Sequence, residues 1–106
     1  MSSDPFVREA RRRIEVFSQL DRYLARLAEV VRSLDPEAEV YLFGSVAEGR
    51  HLYSSDADVL IVTEKLSPGE VIAALKEEGF DDPFEIHMVD RGMLKLYERR
   101  SKLIKL

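Results

Sequence analysis

Apolar residues recur early in the chain at Val7, Ala10, Ile14, Phe17, Leu20, Leu24, Leu27, Val31 and Leu34. That spacing of three and four predicts a helical stripe. Asp4-Pro5 marks its start, an N-cap followed by proline at the first helical position. Asp35-Pro36 closes it. A span of about thirty residues is well above the globular mean, so one long helix or two with a bend are both expected. The stripe exceeds what a three-stranded sheet must cover, which leaves surface for a partner.

Beyond residue 38 the pattern changes. Glu39 to Phe43 reads as a short strand ending in Gly44-Ser45, followed by a brief helix from Ser45 or Val46 with Gly49 near its end. Asp58 to Thr63 is apolar on both faces after its acid, which predicts a central strand. Ser67-Pro68-Gly69-Glu70 carries a capping-box pattern for a helix over Val71, Ile72 and Leu75 to Glu78, stopped by Gly79. Phe84 to Val89 is a third strand, and a basic helix runs from about Arg91 to Lys102. The expected fold is α/β (α+β), a small mixed sheet flanked by helices in the order α-β-α-β-α-β-α, without repeats or linkers.

At 106 residues the chain is expected to form one domain, and its 45% apolar share is ordinary for a globular protein. It has no cysteine, so neither a disulfide framework nor a thiolate metal site is available. No apolar run approaches the length of a membrane span and no signal-peptide pattern is present, which makes the cytoplasm the expected location. The absence of asparagine and tryptophan, with 34% charged residues, resembles proteins of hot-adapted organisms.

Charge is unevenly spread. Residues 1–34 hold seven arginines against five acids, and residues 91–106 hold six bases against Glu98. Residues 35–90 hold fourteen acids against three bases. An acidic middle repels a nucleoside triphosphate unless bound metal reverses the local sign. The asymmetry therefore suits a metal site better than direct nucleic-acid binding, and the basic terminal helix reads as a solvated face.

The candidate chemistry lies in that middle. Asp56 and Asp58 are one residue apart, so on a strand they share a face. In the third strand, alternation places Glu85, His87 and Val89 on one face and Phe84, Ile86 and Met88 on the other. If the second and third strands are neighbours, Glu85 can lie beside Asp56 and Asp58, and three clustered carboxylates call for a cation such as Mg²⁺. A small Gly44-Ser45 turn can bring N–H groups to phosphate.

Gly-Ser, ten residues, then Asp-x-Asp on an apolar strand, with an acidic third strand, resembles the nucleotidyltransferase superfamily of DNA polymerase beta. Within it the chain is similar to the minimal nucleotidyltransferases over roughly residues 6–105. The resemblance implies two-metal transfer of a nucleoside monophosphate, with Asp56, Asp58 and Glu85 as catalytic metal ligands and Glu85 assisting deprotonation. Gly44 and Ser45 would hold the triphosphate, ATP or another NTP. It also implies pairing with a helical HEPN protein in a toxin–antitoxin module, in some cases by attaching AMP to the toxin. Two positions depart from the family pattern: Glu48 stands where many relatives carry arginine, and Glu85 where aspartate is common.

Other residues have simpler accounts beside the functional one. Arg50 is a candidate phosphate contact and equally a surface arginine. Ser55 is a candidate nucleotide contact, though its hydroxyl also suits the turn before Asp56. His51 reads as a loop residue and His87 as a packed or hydrogen-bonded histidine that shares the Glu85 face. Tyr53 and Tyr97 are candidates for base stacking, with packing the safer account. The chain's small size motivates a second class of function, a binding module that neutralises a HEPN partner without catalysis. Nucleotidylation of tRNA or antibiotics fits the core motif but lacks the extra domains those acceptors need.

Overall fold

The computed structural model describes residues 4–50 and 55–106. Helix α1 (Pro5–Ser18) begins where expected, with the Asp4 carboxylate accepting the Phe6 N–H at 2.8 Å. The long stripe is divided: α2 (Leu20–Leu34) follows after Gln19, whose backbone leaves the helical region at φ −130°, ψ 34°. The Gln19 N–H donates to the Val16 carbonyl at 3.1 Å, and the Ser18 hydroxyl donates to the Glu15 carbonyl at 2.7 Å. Such local competition for carbonyls favours a break.

Four strands form one mixed sheet in the order β3-β2-β1-β4. Strand β1 (Glu39–Phe43) is antiparallel to β2 (Ala57–Val62), which is parallel to β3 (Phe84–Val89). The two-residue β4 (Ile104–Lys105) pairs antiparallel with the other side of β1, and the Leu106 N–H extends the ladder to the Val40 carbonyl at 2.9 Å. The fourth strand is an addition to the expected order, and the divided first helix is one of the two forms the stripe allowed. The observed order is α-α-β-α-β-α-β-α-β, completed by α3 (Gly44–Ala47), α4 (Pro68–Glu77) and α5 (Arg91–Arg100).

Both faces of the sheet are covered. On one, Val40, Leu42, Ala57, Val59 and Ile61 pack with Val16 of α1, Leu24, Leu27 and Val31 of α2, and Val71 and Leu75 of α4. On the other, Leu60 and Val62 pack with Leu94 of α5, flanked by Tyr41, Phe43, Val89, Tyr97 and Leu103. Val59, Leu60, Ile61 and Val62 are all fully buried, as a central strand requires. Each such side chain contributes about 1.5–3 kcal/mol.

Capping fixes the helix ends. The Ser67 hydroxyl accepts the Glu70 N–H while the Glu70 carboxylate accepts the Ser67 N–H, completing the expected box at α4. Asp35, buried at the end of α2, accepts from the Thr63 hydroxyl at 2.7 Å and the Glu37 N–H at 3.0 Å. The Thr63 hydrogen bond holds its carboxyl below the usual range and ties α2 to the end of β2. No helix among the described residues is long and apolar enough to cross a membrane.

Candidate active site

The parallel register of β2 and β3 sets Asp58 beside Glu85, and the antiparallel register of β1 and β2 sets Phe43 on its other side. Two residues beyond Glu85, His87 faces the same way by strand parity. Its ring meets the Phe43 ring edge-to-face with centroids 5.0 Å apart. Phe43 is backed in turn by Tyr97 of α5, at 5.5 Å and 85°. This aromatic stack aims His87 Nε2 at the carboxylates: 3.3 Å from Asp58 Oδ1 and 3.8 Å from Glu85 Oε1. One donor atom from each of Asp58, Glu85 and His87 lies within 4.8 Å of the others. Tyr97 serves in this packing.

The Gly44-Ser45 turn closes over Asp58. Gly44 has φ +77°, and a Cβ placed on it would run into the Asp58 carboxylate, 3.2 Å from Cγ. Only glycine accepts both the backbone conformation and that approach. Ser45 follows in α3, a single turn continued by the Glu48 N–H to the Gly44 carbonyl at 3.2 Å and the Arg50 N–H to the Ser45 carbonyl at 2.9 Å.

Asp56 is placed differently from its partner. It precedes β2, and its Oδ1 accepts from Nη2 of Arg13 on α1 at 3.1 Å. Nη1 of the same guanidinium donates to the Ser55 carbonyl at 2.8 Å. Arg13 is largely buried and also lies 3.6 Å from Glu9, one turn earlier on its own helix. Of the expected trio, Asp58 and Glu85 lie together, while Asp56 pairs with Arg13. The structure groups His87 with Asp58 and Glu85, and turns Asp56 toward α1.

Arg50 is exposed and paired with Glu48 at 3.1 Å. Ser55 meets Arg13 through its carbonyl. His51 and Tyr53 lie outside the described residues. Strand alternation alone marks His87 as a neighbour of Glu85. Arg13 carries no comparable signal, since its partner Asp56 is forty-three residues away in sequence.

Two carboxylates on adjacent strands repel one another unless a positive charge joins them. With an imidazole nitrogen at the same place, Asp58, Glu85 and His87 form an oxygen-and-nitrogen donor set of a size that fits one divalent cation. Glu85, about half exposed, is the most open of the three.

Residues 24–105 match the sequence profile of the nucleotidyltransferase domain. A crystal structure of a candidate nucleotidyltransferase is similar over 79% of this chain and 97% of its own, at 30% identity and a TM-score of 0.64. A second, from Sulfolobus solfataricus, covers 96% of this chain and 87% of its own at 21% identity and a TM-score of 0.55, which bears on the fold alone. No curated protein matches the chain.

Proposed function

The chain belongs to the nucleotidyltransferase domain family, and from that premise we propose that it transfers AMP from ATP to a hydroxyl on a partner protein. The observation that carries this reading is the donor cluster of Asp58, Glu85 and His87 under the Gly44-Ser45 turn. Carboxylates in such a cluster suit Mg²⁺. When bound, divalent cations of this kind polarise the acceptor hydroxyl and neutralise the triphosphate and departing pyrophosphate.

The residues of the chain supply the rest. Asp58, fixed between Phe43 and Glu85, would hold the cation. Asp56, at the entrance to β2, would join it through the oxygen that Arg13 leaves open. Ser45 donates its hydroxyl to the triphosphate, Ser55 lines the nucleotide's approach, and Arg50 reaches a phosphate on leaving Glu48. Glu85 takes the proton of the acceptor hydroxyl as that oxygen bonds to the α-phosphorus and the bond to the β-phosphate bridge breaks. AMP stays on the acceptor and pyrophosphate departs.

The acceptor in this reading is a small helical HEPN-type protein, and the chain is its antitoxin. Supporting it is the apolar surface on α1, where Phe6 is 82% and Ile14 53% exposed. The same surface favours a second reading, in which binding alone neutralises the partner. Incubation with a HEPN protein encoded beside this chain, Mg²⁺ and each triphosphate, followed by intact mass, separates the two. The catalytic reading expects the mass of AMP on the partner and released pyrophosphate. Full transfer by Asp58→Asn would refute it. Neutralisation by the Asp56→Asn, Asp58→Asn double variant as complete as that by the parent would establish binding as sufficient.

A further inference from the structure

We propose that His87 is itself a ligand of the cation, and that its imidazole makes this site favour Mn²⁺ over Mg²⁺. The inference rests on the reading that a divalent cation binds at Asp58 and Glu85, and it concerns which ion and through which atoms.

The geometry supports a direct bond. Adjacent donors around a cation at about 2.1 Å lie about 3.0 Å apart in an octahedron and about 3.4 Å apart in a tetrahedron. His87 Nε2 stands 3.3 Å from Asp58 Oδ1 and 3.8 Å from Glu85 Oε1. All three donor atoms lie within 4.8 Å of one another, so side-chain adjustments of about an ångström bring them onto one ion. The ring is also held for the task. Strand parity puts it on the Glu85 face, and Phe43 packs its edge against it, with Tyr97 behind.

The donor set then determines ion preference. Mg²⁺ is a hard ion that favours carboxylate and water oxygens, whereas imidazole suits later first-row ions. Mn²⁺ accepts both classes of donor, so replacing one oxygen by nitrogen shifts selectivity toward it. A measurable preference for Mn²⁺ over Mg²⁺ is expected from one such exchange.

Pulsed electron paramagnetic resonance of Mn²⁺ on the full chain tests this, with a non-hydrolysable ATP analogue present and absent. Bound Mn²⁺ should show coupling to a directly bonded ¹⁴N. His87→Gln should abolish that coupling while leaving the melting temperature close to the parent's. The variant also excludes His51, the other histidine of the chain. His87→Asp, which restores an oxygen donor, should bind metal and return the preference to Mg²⁺. Stoichiometric Mn²⁺ without nitrogen coupling, or coupling that survives in His87→Gln, overturns the assignment and leaves the proposed transfer reaction standing. Failure of the parent to bind either ion under both conditions overturns the assignment and the proposed reaction together.

Discussion

Replacing Gly44 by alanine should damage the site more than the fold, and the two effects can be measured apart. At φ +77° an alanine is strained, by about 1–2 kcal/mol. The new methyl would also collide with the Asp58 carboxylate, which lies within its reach. The cheaper relief is rotation of Asp58 away from the turn, which breaks its 3.3 Å approach to His87. Backbone strain alone predicts a fall in melting temperature of about 4–15 °C for a domain of this size. Loss of one carboxylate from the donor set predicts a clear fall in Mn²⁺ affinity.

Gly79→Ala is the control. Gly79 has φ +85° at the end of α4, and nothing lies within 4 Å of an added Cβ. It should show a similar thermal loss with unchanged metal affinity. Calorimetric melting and metal titration on both variants supply the four numbers. If Gly44→Ala binds metal as well as Gly79→Ala does, the close approach of Asp58 to the turn is not what holds the cluster together.

Arg13→Gln should lower stability by about 1 kcal/mol, since the ion pair with Asp56 is partly exposed. It should raise divalent-metal affinity several-fold by removing a positive charge from Asp56. Unchanged affinity in titration would show that Asp56 is not a ligand. Tyr41 gives a prediction at alkaline pH. Burial, and then its 2.6 Å hydrogen bond to Glu39, push its phenol up to about 12. The folded chain therefore keeps this proton while the unfolded chain loses it near pH 10. Its stabilising effect is complete below pH 10 and is lost as pH rises toward 12. Urea midpoints of Tyr41→Phe should fall less steeply over that range, and parallel slopes would contradict the assignment.

Period and parity made most of the scaffold legible in the sequence. The apolar run of β2 announced a central strand, the Ser67 and Glu70 pair announced the start of α4, and alternation put Glu85 and His87 on one face. What escaped had short or distant causes. Strand β4 has only two residues, too few to carry a period. A bend in the long stripe was one of two expected forms, but its place at Gln19 was not legible, because hydrogen bonds of Ser18 and Gln19 set it while the apolar spacing runs on unbroken. Asp56 looked equivalent to Asp58, yet it stands before the strand, where a guanidinium from a distant helix could take hold of it. Within the site, sequence spacing proposed the carboxylates but could not tell which neighbour each would face.

Helix α1 has a bearing on how far findings from relatives carry over. The shared domain is recognised only from residue 24 onward, so the counter-charge on its first aspartate comes from beyond that border. A chain trimmed to residues 24–105 would lose Arg13 and, with it, Val16 from the core. Its metal affinity and its melting temperature would then change together, for unrelated reasons. Ion preferences measured on a protein built from the shared span alone would describe a differently charged Asp56, and transfer to this chain only after that difference has been measured.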